Sequence, residues 1–230
     1  MVWPATGPRT VWFFDLDNTL HDAGSAVFPR MNAAMTDYIR EHLGLCREEA
    51  DAMRVHYWHR YGSTLLGLMR HHRVKAAHFL HETHRFPDLE QRVRGHGHDL
   101  HRLRRLPGVK VLLTNAPGHY AMRVLRILRI EDCFDAVIPI EDMTLFGQLR
   151  PKPDRRLFRQ LPVRLRVDPR RCVLVEDTLE HQKAARAERW RTVWMQRWMK
   201  AGLAATTAQY RLLHRRPAYV DRRVRSLAAL

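Results

Sequence analysis

The chain has 230 residues, is 45% hydrophobic and carries a formal net charge of +16 at pH 7. That length and apolar content fill one substantial core and exclude wholesale disorder, and no run approaches the about 18 consecutive apolar residues of a membrane span. Cys46, Cys133 and Cys172 are odd in number and lack short spacing, which excludes a disulfide scaffold or a paired-cysteine zinc site and fits a reducing, cytoplasmic setting.

The opening MVWPATGPRT has no basic region leading into an apolar run, so it is not read as a secretory signal. Val11–Phe14 is aromatic and apolar and predicts a short buried strand running into Asp15 and Asp17. From Leu20 to about Leu106 the apolar spacing is helical, over residues 31–43, 47–61, 64–71, 75–83 and 98–106, with no strand pattern. Strand runs then return at 109–113, 136–140, 172–175 and 192–195, with helical patterns at 120–128 and 179–190 between them. Beyond Gln196 the expectation is a strand at 218–220 and a final short helix. Strands alternating with helices predict an α/β fold, a Rossmann-like parallel sheet with helices on both faces. Residues 9–20 and 107–230 form that core, and residues 21–106 are an all-α insertion after the first strand.

In an open parallel sheet, ligands bind at the carboxyl ends of the strands. Asp15, Asp17 and Thr19 follow the first run, and Thr114 and Asn115 follow the second. Lys152 lies in Arg150-Pro-Lys-Pro153 beyond the third, and Glu176 and Asp177 follow the fourth. Four carboxylates gathered in one place require compensation. A hard divalent cation, Mg²⁺, satisfies oxygen ligands of this kind, and Lys152 adds a point charge for a phosphate oxygen. Thr114 and Asn115 supply neutral hydrogen-bond donors. The set suits phosphoryl transfer to a carboxylate nucleophile, with a second carboxylic acid exchanging protons with the leaving group and then with water.

DLDNT (Asp15–Thr19), LLTNA (112–116), RPKP (150–153) and LVEDT (174–178) resemble, in order, the four motifs of the haloacid dehalogenase superfamily. An Asp two residues after the nucleophile separates that superfamily's phosphatases from its dehalogenases. The resemblance implies that Asp15 is the nucleophile and a metal ligand. Asp17 becomes the general acid/base, binding metal through its carbonyl. Thr114 and Lys152 hold the phosphoryl group, Asp177 ligates Mg²⁺, and Glu176 assists directly or through water. The all-α insertion resembles the helical cap that closes over the site. HYWHRYGSTLLGLMRHH (56–72) and TNAPGHY (114–120) are similar to the pyrimidine 5′-nucleotidase-like branch, which places Tyr61, Gly62 and Thr64 near substrate. His181 stands where that branch often carries Asn.

The expected partner is therefore a small phosphate ester, foremost a nucleoside 5′-monophosphate. A sugar phosphate or phosphoglycolate is the alternative within the same chemistry. The +16 charge raises a second class, a nucleic-acid-binding protein on a retained fold. The arginines, however, are spread along the chain with modest clusters at 102–105 and 211–225, and no nucleic-acid motif accompanies them. The histidines from His71 to His84 lack metalloprotease spacing and read as ordinary side chains. Trp58 and Tyr61 read as core of the helical insertion.

Overall fold

The computed structural model of the protein describes residues 10–199 and 215–230. Residues 1–9 of the N-terminal stretch, and part of the 211–225 arginine cluster, lie outside those residues. The first apolar run forms β1 (Val11–Phe14). Then come α1 (Ala23–Ala26), α2 (Phe28–Leu43), α3 (Arg47–Tyr61), α4 (Thr64–His72), α5 (Ala76–Thr83), α6 (Leu89–Arg92) and α7 (Gly97–Arg105), with no named strand among them. Next are β2 (Val109–Leu113), α8 (Gly118–Leu128), β3 (Ala136–Ile138) and a hairpin of β4 (Thr144–Leu145) with β5 (Gln148–Leu149). The chain continues through α9 (Arg155–Leu165), β6 (Cys172–Glu176), α10 (Leu179–Ala187), β7 (Arg191–Met195) and β8 (Arg222–Val224).

The expected α/β architecture is present. Six strands form one parallel sheet in the order β3-β2-β1-β6-β7-β8. β1 lies between β2 and β6, where Val11 pairs with Val109 on one side and Cys172 on the other. The strand order reverses at β1, so the carboxyl ends of β1, β2 and β6 flank a topological switch point. These central strands are buried at almost every position, as expected of strands covered on both faces.

Side-chain alternation sends Phe13 to one face, with Leu157, Phe158, Leu161 and Trp190, and Phe14 to the other, with Tyr120, Val124 and Leu128. The helices between β1 and β2 hold an apolar cluster of their own, including Tyr38, Ile39, Tyr57, Leu65, Leu68 and Phe79. Ile140 belongs to that cluster and Leu149 packs on it, so the β4–β5 region leans against the helical insertion. Gly67 lets α4 approach α3 closely, because a Cβ there would sit 2.2 Å from the Tyr57 ring.

Several details differ from the sequence expectation. The last strand is β8 at 222–224 rather than 218–220. Thr192 instead bonds the carbonyl of Tyr219, and pairing with β7 starts at Arg222. The run expected to extend to residue 140 stops at Ile138, and Ile140 begins a 3-10 turn toward the helical cluster. The final short helix is one 3-10 turn, Leu227–Ala229. Helix α9 escaped the sequence reading because Pro162 and its arginines obscure a face that buries Leu157, Phe158, Leu161 and Leu165. Trp58 is 57% exposed and is not core, since its neighbour Tyr57 is the residue of α3 that packs against α4 at Gly67.

Candidate active site

β1 runs on into Asp15, whose N–H still bonds the carbonyl of Val175 at 3.0 Å. The chain then turns sharply: Thr19 and Leu20 both donate to the Leu16 carbonyl, and Asn18 takes a left-handed φ of 58°. Asn tolerates that conformation, and its Oδ1 is held by the Gly24 N–H. The turn brings Asp17 and Thr19 back beside the strand end, and the Thr19 hydroxyl donates to Asp15 Oδ2 at 3.3 Å.

Lys152 is the cation that answers these acids. Its ammonium donates to Asp15 Oδ1 at 2.8 Å and to Glu176 Oε2 at 2.7 Å, with its side chain fully buried. The Lys152 backbone is clamped by Asn115, which donates from Nδ2 to its carbonyl and accepts from its N–H at Oδ1. Asn115 thus orients the lysine, while Thr114 Oγ1 accepts from the Ala116 N–H at the start of the β2–α8 turn.

At the end of β6, Glu176 Oε1 accepts from the Thr178 N–H, and His181 Nδ1 lies 2.9 Å from Oε2. Gln182 braces this strand end by donating to the carbonyls of Glu176 and Val193. The Trp194 indole holds the Asp177 carbonyl. Oxygens of Asp15, Glu176 and Asp177 all lie within 4.8 Å of one another.

Burial would push every ionised group here toward neutrality, and the mutual charges decide the outcome. Burial and the Glu176 charge raise the Asp15 carboxyl to about 7, even though Lys152 opposes them. Burial and the Glu176 charge also push Asp177 well above the usual carboxylate range. For Glu176, burial is outweighed by Lys152 and His181, which hold it below its ordinary value. For Lys152, burial is outweighed by Asp15 and Glu176, which hold it firmly charged. One lysine therefore cannot compensate all three carboxyls, and Asp15 and Asp177 stay ionised only if a further positive charge joins them. Hard oxygen donors with that requirement fit a Mg²⁺ ion held by Asp15 and Asp177, with Glu176 already engaged by protein partners.

Asp17 is held apart from this lysine. Its Oδ1 accepts from the Tyr120 hydroxyl at 2.7 Å and lies 2.8 Å from His21 Nε2. Burial and the Asp17 charge raise Tyr120 well above its ordinary value, so it remains a phenol that can donate. His21, Tyr120 and His181 were not assigned to the site from sequence. His21 stands four residues after Asp17, a visible spacing, whereas Tyr120 stood out only as an apolar helical position and as the last residue of the TNAPGHY stretch.

Of the residues expected near substrate in the insertion, Tyr61 bonds His71 through its hydroxyl at 2.6 Å, and Thr64 donates to the Arg54 carbonyl. The turn between them meets the core. Gly62 has a φ of 72°, and a Cβ there would lie 3.1 Å from Pro153, the residue after Lys152. Tyr61 also lines a cavity of about 460 Å³ with Ala52, Met53, His56, Tyr57 and His71.

A parallel sheet that gathers carboxylates and one buried lysine at its switch point defines an α/β core with an acidic, cation-seeking centre. Residues 10–188 match the haloacid dehalogenase-like hydrolase family, and the chain belongs to it. A curated relative, Phosphate metabolism protein 8 of Saccharomyces cerevisiae, is 26% identical over 159 residues. That match takes in 65% of this chain and 50% of the yeast protein, so the chain spans about half the length of that relative. Among solved structures, a HAD phosphatase from Thermococcus onnurineus superposes with a TM-score of 0.60 at 20% identity, covering 95% of this chain and 94% of that one. YfnB of Bacillus subtilis, solved bound to magnesium, gives 0.58 at 16% identity and 97% coverage of both chains. Among the described residues no helix is long and apolar enough to cross a membrane.

Proposed function

We propose that the protein is a Mg²⁺-dependent phosphomonoester hydrolase acting through a phosphorylated Asp15, with nucleoside 5′-monophosphates as its favoured substrates. The observation that carries the reading is the second carboxylate: Asp17 sits beside the Asp15 centre, free of Lys152 and held by Tyr120 and His21. A dehalogenase has no use for such an acid, whereas a phosphatase needs one to protonate a leaving oxygen.

In the first step an Asp15 oxygen attacks phosphorus. Asp17 gives its proton to the departing ester oxygen as the P–O bond breaks, and the alcohol leaves. In the second step Asp17 takes a proton from water as its oxygen attacks the phosphorylated Asp15, which releases phosphate and restores both carboxyls. Lys152 and the Thr114–Asn115 turn hold the phosphoryl oxygens. Mg²⁺ bound by Asp15, Asp177 and the Asp17 carbonyl, with Glu176 beside it, would neutralise charge on the transferring group. The magnesium reported for YfnB agrees with that assignment, and the name of the yeast relative agrees with a phosphate substrate.

Residues 21–106 act as a helical cap on a core of residues 9–20 and 107–230. Their separate apolar cluster and the contact of Gly62 with Pro153 support this division. Tyr61 and Thr64 then belong to the substrate side of the cap. Three free cysteines agree with a reducing cytoplasm.

The test is hydrolysis of a panel of nucleoside monophosphates, sugar phosphates and phosphoglycolate, with and without Mg²⁺. Turnover that needs Mg²⁺ and is lost in Asp15→Asn is expected, with nucleotides first. Preference for a sugar phosphate would move the substrate and keep the chemistry. Absence of all turnover, together with a salt-dependent gel shift on nucleic acid, would replace this reading with the nucleic-acid-binding one.

A further inference from the structure

We infer that Tyr120 and His21 are positioning residues that fix Asp17 by its Oδ1 oxygen, leaving Oδ2 as the atom that carries the catalytic proton. The inference rests on the phosphatase reading above and goes beyond it to the atom and to the residues that select it.

Two donors from different elements converge on one oxygen. Tyr120 projects from α8, 103 residues away in sequence, and places its hydroxyl 2.7 Å from Oδ1. His21 comes from the turn after β1 and places Nε2 2.8 Å from the same atom. Among the described residues none donates to Oδ2. An oxygen that already accepts from Tyr120 is best met by a second donor, which assigns the imidazole proton to Nε2.

Among the described residues the His21 ring has no other hydrogen-bond partner. It is completely buried, and its Nδ1 has no hydrogen-bond partner among the described residues. Buried polar atoms are normally satisfied, so this ring is kept in place at a cost, and Asp17 is what it bonds. Tyr120 is fixed from its sides, with the rings of His84 and Phe86 edge-on to it at 5.6 and 5.8 Å.

The arrangement suits both states of Asp17. With a proton on Oδ2, Oδ1 is the carbonyl oxygen and still accepts from Tyr120 and His21. A proton on Oδ1 would meet two donors. The proton is therefore confined to Oδ2, on a side chain that keeps 15% of its surface exposed. There it passes to the ester oxygen as the P–O electron pair moves onto that oxygen, and it is replaced from the attacking water. Tyr120 lies in the first turn of α8, which follows directly on the turn that carries Thr114 and Asn115.

The experiment compares kcat/KM on two esters that differ in their need for an acid. p-Nitrophenyl phosphate releases a weakly basic oxygen, whereas uridine 5′-monophosphate, or the best alkyl ester of the panel, releases a strongly basic one. General acid catalysis is worth about 10²–10⁴-fold. Tyr120→Phe is expected to lower kcat/KM on the alkyl ester by about 10-fold or more and to leave the aryl ester little changed. Equal losses on both esters, or no loss on the alkyl ester, would overturn the positioning role. His21→Gln, which retains an N–H donor, should keep the alkyl/aryl ratio, and His21→Leu should lower it. That pair decides the matter if Tyr120→Phe does not fold, and equal ratios in the two would refute the inference. A wild type inactive on every ester would instead overturn the phosphatase reading.

Discussion

Asp15→Asn should make the metal-free protein more stable while removing its activity. Asp15 is buried against Glu176 and Asp177, and the environment raises its carboxyl from 3.8 to about 7. The folded state thus holds a proton that the unfolded chain gives up. A carboxyl with a raised folded value contributes most below its unfolded value, and stability falls as pH rises from about 4 to about 7. A separation of about 3 pH units at ~1.4 kcal/mol each makes the full penalty ~4 kcal/mol, an upper limit. Asn resembles the protonated carboxyl and carries no such penalty at any pH. At pH 8 in a chelator, the variant should therefore be more stable by up to ~4 kcal/mol, which for a chain of this size is on the order of 10 °C in melting temperature. The gap should close by about pH 4, where the wild-type carboxyl is itself protonated. Added Mg²⁺ should raise the wild-type melting temperature more than that of the variant. Thermal unfolding across this pH range reads all three effects. A variant no more stable than wild type at pH 8, or a gap that does not shrink on acidification, would refute the account of crowded buried charge.

Three other outcomes follow from the same structure. Asp177→Asn should raise the Mg²⁺ concentration needed for half-maximal phosphatase activity by an order of magnitude or so; an unchanged metal titration would remove Asp177 from the ligand set. His84 is lowered from 6.5 to about 4, chiefly by burial, so the folded state refuses a proton that the unfolded chain accepts. Stability should fall by up to ~3 kcal/mol as pH drops from about 6.5 to about 4. His84→Gln should flatten that acid limb in denaturant titrations, and an unaltered limb would refute the assignment. Gly67→Ala forces a methyl to within 2.2 Å of the Tyr57 ring. Overpacking of this kind costs about 1–3 kcal/mol, more than the helix propensity gained, and an undiminished melting temperature would show that α3 and α4 separate easily.

The parts of the molecule legible in the sequence were those whose physics is local. β1, β2 and β6 are buried on both faces, so they appear as unbroken apolar runs, and the acids after them stand out by contrast. Helices α2 to α5 carry an ordinary apolar stripe and were found nearly to their ends. What stayed hidden depends on contacts made in three dimensions. β8 contains two exposed arginines and one buried valine, and only pairing with β7 makes it a strand. Helix α9 hides behind Pro162. The β4–β5 hairpin is two residues on each side, too short for any alternation to register.

The site divides along the same line. Asp15, Lys152, Glu176 and Asp177 were identified because an acid at a strand end is costly unless something compensates it. That cost is visible one residue at a time. Tyr120 and His21 gave no such warning, because a tyrosine on an apolar helix face and a histidine after a turn are unremarkable alone. Their meaning comes from meeting at one oxygen of Asp17. The charged core of the centre is thus specified by unfavourable residues that demand partners, and its proton-handling edge by unexceptional residues that happen to converge. If that division is right, substitutions at Lys152 and Asp15 should alter stability and its pH dependence strongly. Tyr120→Phe should alter the choice between leaving groups with little change in stability, since it removes one hydroxyl while His21 still satisfies the carboxylate.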